Sequence, residues 1–116
     1  MRETVRGLSL NNMRFEVQTP DLRPALIFEN VSDAAVSALS AESDSKAESL
    51  LRFTNVRETL LSACRMLTAG PAFLHLIGPG NASIKIDGGD MSKAAKLVTF
   101  SGGATAKAVK LKTEER

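Results

Sequence analysis

The sequence has one cysteine, one histidine, no tryptophan and no tyrosine. Cys64 alone can form neither a disulfide within the chain nor a cysteine-based zinc site, which fits a reducing compartment. Five phenylalanines make up the whole aromatic complement, so the stacking platform of a single-strand nucleic-acid binder is thin. No run approaches the ~20 apolar residues of a membrane span. Residues 1–10 carry Arg2, Glu3 and Arg6 with no apolar stretch of signal-peptide length behind them. Neither secretion by a standard signal nor membrane insertion is expected, and the reading is cytoplasmic.

What is present suits one compact unit. A chain of 116 residues that is 43% hydrophobic predicts a single domain over 1–116, able to bury a core without metal or disulfide. The net charge of +2 is small but unevenly spread. From Glu29 to Glu48 the charged residues are Glu29, Asp33, Glu42, Asp44, Lys46 and Glu48, an acidic middle, while in residues 93–112 they are only lysines, at 93, 96, 107, 110 and 112. Such halves can attract each other between neighbouring copies or simply keep the surface wet.

The strongest local signal predicts a long amphipathic helix over about 46–69. Ser45 and Glu48 read as a capping box, and Gly70-Pro71 as a stop. An advance of 100° per residue gathers Leu50, Phe53, Val56, Leu60, Leu61, Cys64 and Leu67 on one face. Arg57 falls among them, where it either snorkels to the surface or pairs with a carboxylate across an interface. A short Ala-rich helix over 34–41, capped by Ser32 or Asp33, precedes it.

Strands are read elsewhere. Residues 4–10 and 13–18 make a hairpin about Asn11-Asn12, and 25–28 is a short buried strand after the loop bracketed by Pro20 and Pro24. Residues 73–77 and 83–87 form a second hairpin through Gly78-Pro79-Gly80-Asn81. Residues 95–100 and 105–111 follow, the last as an edge protected by lysine. The expected fold is α+β, an antiparallel or mixed sheet packed on the long helix, with no internal repeat.

Chemistry is sparse. His75 lies in an apolar strand, and Cys64 lies on the apolar helix face, where a thiol is inert. Residues 78–85 share glycines and a lysine with a phosphate-binding loop, yet they run into a strand and lack a Ser or Thr after Lys85. Asp87-Gly88-Gly89-Asp90 lacks the ligand ladder of a calcium loop. Asn30-Val31-Ser32 and Asn81-Ala82-Ser83 match the glycosylation pattern by chance, given no secretory route.

No catalytic residue, cofactor or metal is therefore expected, and the chain is read as a non-enzymatic structural or interaction protein. The picture is a small subunit of a homo-oligomer or of a larger particle such as a virion, with copies of itself as partner and Arg57, Lys107, Lys110 and Lys112 at the interface. The alternative is a nucleic-acid-binding accessory protein using Arg and Lys of the N-terminal strands and of the C-terminal strand. No membrane partner is expected.

Overall fold

The computed structural model describes residues 5–16, 23–44 and 46–112. Ten strands follow in order: β1 (Val5–Asn11), β2 (Arg14–Phe15), β3 (Leu26–Ser37), β4 (Ser40–Ala41), β5 (Leu51–Ser62), β6 (Arg65–Met66), β7 (Gly70–Ile77), β8 (Ala82–Asp87), β9 (Ala94–Ser101) and β10 (Val109–Lys112). The only helical piece among the described residues is one 3₁₀ turn, Ala106–Ala108. Every strand pair is parallel.

The pairing repeats at a nearly constant sequence interval. Val5 meets Val31, Leu26 meets Leu51, Leu51 meets Leu74, and Leu74 meets Val98. Each turn of chain stacks on the one before it, and equivalent residues form columns along the stack. The fold is a parallel β-solenoid.

Coils need corners, and the corners are written in backbone conformation. Asn30 and Asn55 stand at φ near 57°, one coil apart, and the Asn55 amide donates to Asn30 Oδ1 at 2.7 Å. Asn tolerates this left-handed region better than most residues. Asp33, Glu58 and Ser83 form a second left-handed column beside Gly7, and Asn12, Ala38, Ala63 and Gly88 form a third. At the next step Gly89 passes so close to the Cys64 carbonyl that a Cβ would stand 2.3 Å from its oxygen. Only glycine fits there.

These corners overturn the predicted long helix. Residues 51–62 are strand β5, not helix, and its first half pairs with β7 while its second half pairs with β8. The buried positions of β5 are Leu51, Phe53, Val56, Thr59 and Leu61. Strict alternation would give steps of two, but each left-handed residue, Asn55 and Glu58, turns the chain and stretches one step to three. A two-three-three-two spacing imitates the i, i+3 rhythm of a helix. The short helix predicted over 34–41 is likewise strand, the end of β3 followed by β4, with Ala38 left-handed between them.

The capping box fails too, for Glu48 reaches the Arg52 guanidinium at 3.4 Å, while Ser45 lies outside the described residues. The α+β expectation and its antiparallel or mixed sheet thus give way to an all-parallel arrangement.

Both predicted hairpins are corrected. β7, the turn at 78–81 and β8 sit where the sequence placed them, but the two strands lie end to end along β5. The side chain of buried Asn81 knits that corner: its Oδ1 accepts the Val56 N–H at 2.9 Å, and its Nδ2 donates to the Ile77 carbonyl at 3.0 Å. At the start, β1 pairs with β3 and β2 with β4, so neither half of the first hairpin meets the other. Thr4, Val17, Gln18 and Pro20 lie outside the described residues.

The absence of a repeat is corrected as well. Phe28-Glu29-Asn30-Val31 and Phe53-Thr54-Asn55-Val56 share Phe, Asn and Val in stacked columns, and the Phe28 and Phe53 rings stack at 5.0 Å, 3° from parallel. The core is the sum of such columns, Leu26–Leu51–Leu74–Val98 and Leu10–Val36–Leu61–Ile86–Leu111 among them.

Candidate functional site

The strands β1, β3, β5, β8 and β10 stack into one flat wall, and alternate residues of each point outward. Three outward columns are fixed by the register: Arg6–Ser32–Arg57–Ala82, Ser9–Ala35–Leu60–Lys85–Lys110, and Asn11–Ser37–Ser62–Asp87. Between the first two runs the left-handed column, which exposes Asp33 and Glu58. Where Ala35 and Ser83 are small, the wall is hollowed into an open depression of about 520 Å³ bordered by Asp33, Glu58, Leu60, Lys85 and Asp87. Leu60, 37% exposed, is the large apolar side chain within it.

The exposed charges of this wall include Arg6 and Arg57 beside the carboxylates, and Asp87 lies near Lys85. The carboxylates Asp33 and Glu58 belong to the second and third coils, and Lys85 and Lys110 follow in the fourth and fifth. None of the four has an ion pair among the described residues. The depression thus has an acidic end at Asp33 and Glu58, Leu60 at its centre, and a mixed end where Lys85 and Asp87 border it, with Lys110 one coil beyond.

The four residues expected at an interface separate on this geometry. Arg57 lies on the wall, exposed, with its Nε donating to the Gly80 carbonyl at 3.1 Å. It therefore never enters the core, and the helix face that put it there does not exist. Lys110 lies on the same wall, and Lys107 is exposed on the 3₁₀ turn just before β10. The Lys112 backbone pairs with Asp87, and its side chain lies outside the description. Asp33, Glu58 and Leu60 were missed as a site. The repeated Phe-x-Asn-Val was the signal that stacks Asp33 on Glu58, since each follows that motif at the same interval, and it places Leu60 on Ala35.

The residues weighed for chemistry are dispersed. Cys64 is buried at a corner of the coil, and burial pushes its thiol above the ordinary value. His75 is on the opposite strand wall, in the column Ile27–Arg52–His75–Thr99. Its Nδ1 lies 2.6 Å from the Thr99 hydroxyl and its Nε2 2.9 Å from that of Ser101. Both ring nitrogens are occupied by hydroxyls, and no contact links His75 to Cys64.

Asp90 accepts from the hydroxyl and backbone N–H of Ser92, which hold its carboxyl below the usual range, with Lys93 and Arg65 adding to the effect. Asp87 and Asp90 fall on different faces of the coil, since one pairs with Ser62 and the other with Arg65. Among the described residues, no three His, Cys, Asp or Glu side chains gather as a metal would require. No helix among them is long and apolar enough to cross a membrane.

Basic residues do not form one surface. Arg6 is on the first strand and Lys110 on the last, with the Asp33–Glu58 column between them. Comparison with protein-family models, with curated proteins and with solved structures gave no significant match.

Proposed function

We propose that the protein is a non-enzymatic assembly subunit that pairs with a second copy of itself through the outer wall of the long sheet. The observation that carries this reading is that, among the described residues, the unpaired carboxylates Asp33 and Glu58 stand on the second and third coils and the unpaired Lys85 and Lys110 on the fourth and fifth, about the exposed Leu60. Turn a second copy over so that its coils run in the opposite order with the third coil facing the fourth, and its Lys85 and Lys110 coils lie across from those of Glu58 and Asp33, while each Leu60 is covered by the fourth coil of the other copy, one coil away from its counterpart. The contact is self-complementary, as a two-fold interface must be.

Each exposed ion pair contributes at most about 1 kcal/mol, so the pairing depends on several acting together and weakens with salt. The non-enzymatic part rests on the engaged ring of His75 and the buried, protonated thiol of Cys64. A free cysteine accords with residence in the cytoplasm or in a particle assembled there.

Light scattering at low and high salt tests the proposal. A dimer at low salt that dissociates as salt rises is expected. Lys85→Glu with Lys110→Glu should be monomeric, as should Asp33→Lys with Glu58→Lys, and an equimolar mixture of the two variants should recover the dimer. A wild-type chain that stays monomeric at low salt overturns the reading. If that monomer instead binds a mixed-sequence DNA fragment at low salt alone, the function moves to nucleic-acid binding.

A further inference from the structure

Among the described residues, the stack ends on an uncovered edge. β9 and β10 each pair on one side only, with β7 and β8. Phe100 and Leu111 continue the columns of Leu76 and Ile86, both buried, yet they stand 38% and 55% exposed. Together with Leu97, Val98 and Val109 they line a groove of about 420 Å³ across the open cross-section of the core. Repeat folds ordinarily close such an end with a polar face. Here the groove is apolar and its rim is basic: Lys96 borders it, and Lys107 and Lys110 are exposed beside it, with no carboxylate paired to them among the described residues.

We propose that this edge accepts an extended segment of a partner polypeptide in which apolar residues alternate with Asp or Glu, added as the next parallel strand beside β10. A strand set ~4.8 Å from β10 has its backbone groups satisfied by the free edge, and its side chains alternate in direction. One set drops into the groove over Val109, Leu111 and Phe100. The other set emerges on the outer wall next to Lys107 and Lys110, where a carboxylate is favoured and a cation is not.

A second copy of this chain fits the edge less well. In the register that puts Leu8 and Leu10 of its β1 over Val109 and Leu111, Arg6 falls beside Lys107. Lys110 serves both this edge and the self-pairing wall, so the groove residues Phe100 and Leu111, which continue the inward columns, are what separate the two.

The test is fluorescence anisotropy with labelled synthetic peptides on the full chain: alternating valine and glutamate, alternating valine and lysine, and the first composition with its valines and glutamates in separate blocks. The alternating acidic peptide is expected to bind at least about tenfold more tightly than either control at low salt. Phe100→Ala with Leu111→Ala should weaken it by about tenfold or more while leaving the light-scattering mass unchanged. Lys107→Glu with Lys110→Glu should reverse the preference toward the lysine peptide. Equal binding of all three peptides, no binding of the acidic peptide up to about 1 mM, or binding indifferent to Phe100 and Leu111 overturns the proposal.

Discussion

Leu76 and Phe100 are neighbours in one column, one coil apart, and their circumstances differ completely. Leu76 has Phe53 on one side and Phe100 on the other, and is fully buried. Phe100 has Leu76 on one side and open groove on the other. The same contrast separates Ile86 from Leu111. In a stacked fold, then, burial depends less on residue type than on having a coil on both sides. The middle coils hold the molecule together, and the last one presents its core residues as a surface.

Truncating the aromatic side chains of the Phe28–Phe53 and Leu76–Phe100 column would test that contrast most severely. Phe53→Ala removes a ring packed on both sides and should cost about 3–5 kcal/mol in urea unfolding. Phe100→Ala should cost well under half as much, because much of its ring is already wet. Equal losses would mean that the edge groove is closed in solution.

A smaller effect is expected at the corner between β7 and β8. Asn81→Ala leaves the buried Val56 N–H without an acceptor, and should cost about 1–3 kcal/mol. The loss should appear in hydrogen exchange as deprotection of Val56 ahead of its neighbours in β5.

The smallest change should have the opposite sign. Ala63 is exposed and left-handed at φ 54°, so Ala63→Gly removes backbone strain that outweighs the added chain entropy, and should stabilise by about 0.5–1 kcal/mol. A destabilised Ala63→Gly would show that the Ala63 methyl contributes packing the corner needs.

What the sequence revealed, and what it hid, follow from these corners. β7, β8 and β9 were legible because each is a short apolar or alternating run bounded by glycines, as in Phe73 to Ile77 before Gly78-Pro79-Gly80. β5 and the second half of β3 were not, because Asn55, Glu58 and Asp33 turn the chain inside a strand and convert a period of two into steps of three. The repeat was masked by substitution within columns: the positions of Phe28 and Phe53 are taken by Leu76 in the next coil. Coil length also drifts, since Leu26 to Leu51 spans two more residues than Leu51 to Leu74.

For the proposed interface, Lys110 was legible as a lysine-guarded edge. The acidic half was visible only as composition. Placing Asp33 and Glu58 beside each other requires the coil interval, which only the distant repetition of Phe-x-Asn-Val carries.

The columns also set a unit for how this chain can change in length. Removing one residue from β5 would swap the inward and outward sets for the remainder of the strand, placing Arg57 toward the core and Val56 in water. Removing an entire coil, from Leu26 to Leu50, would bring Leu51 into the place of Leu26 and leave every later side chain on its own side. Length in such a molecule is quantised: it tolerates gain or loss by whole coils far better than by single residues, and the number of coils can drift while the cross-section stays fixed.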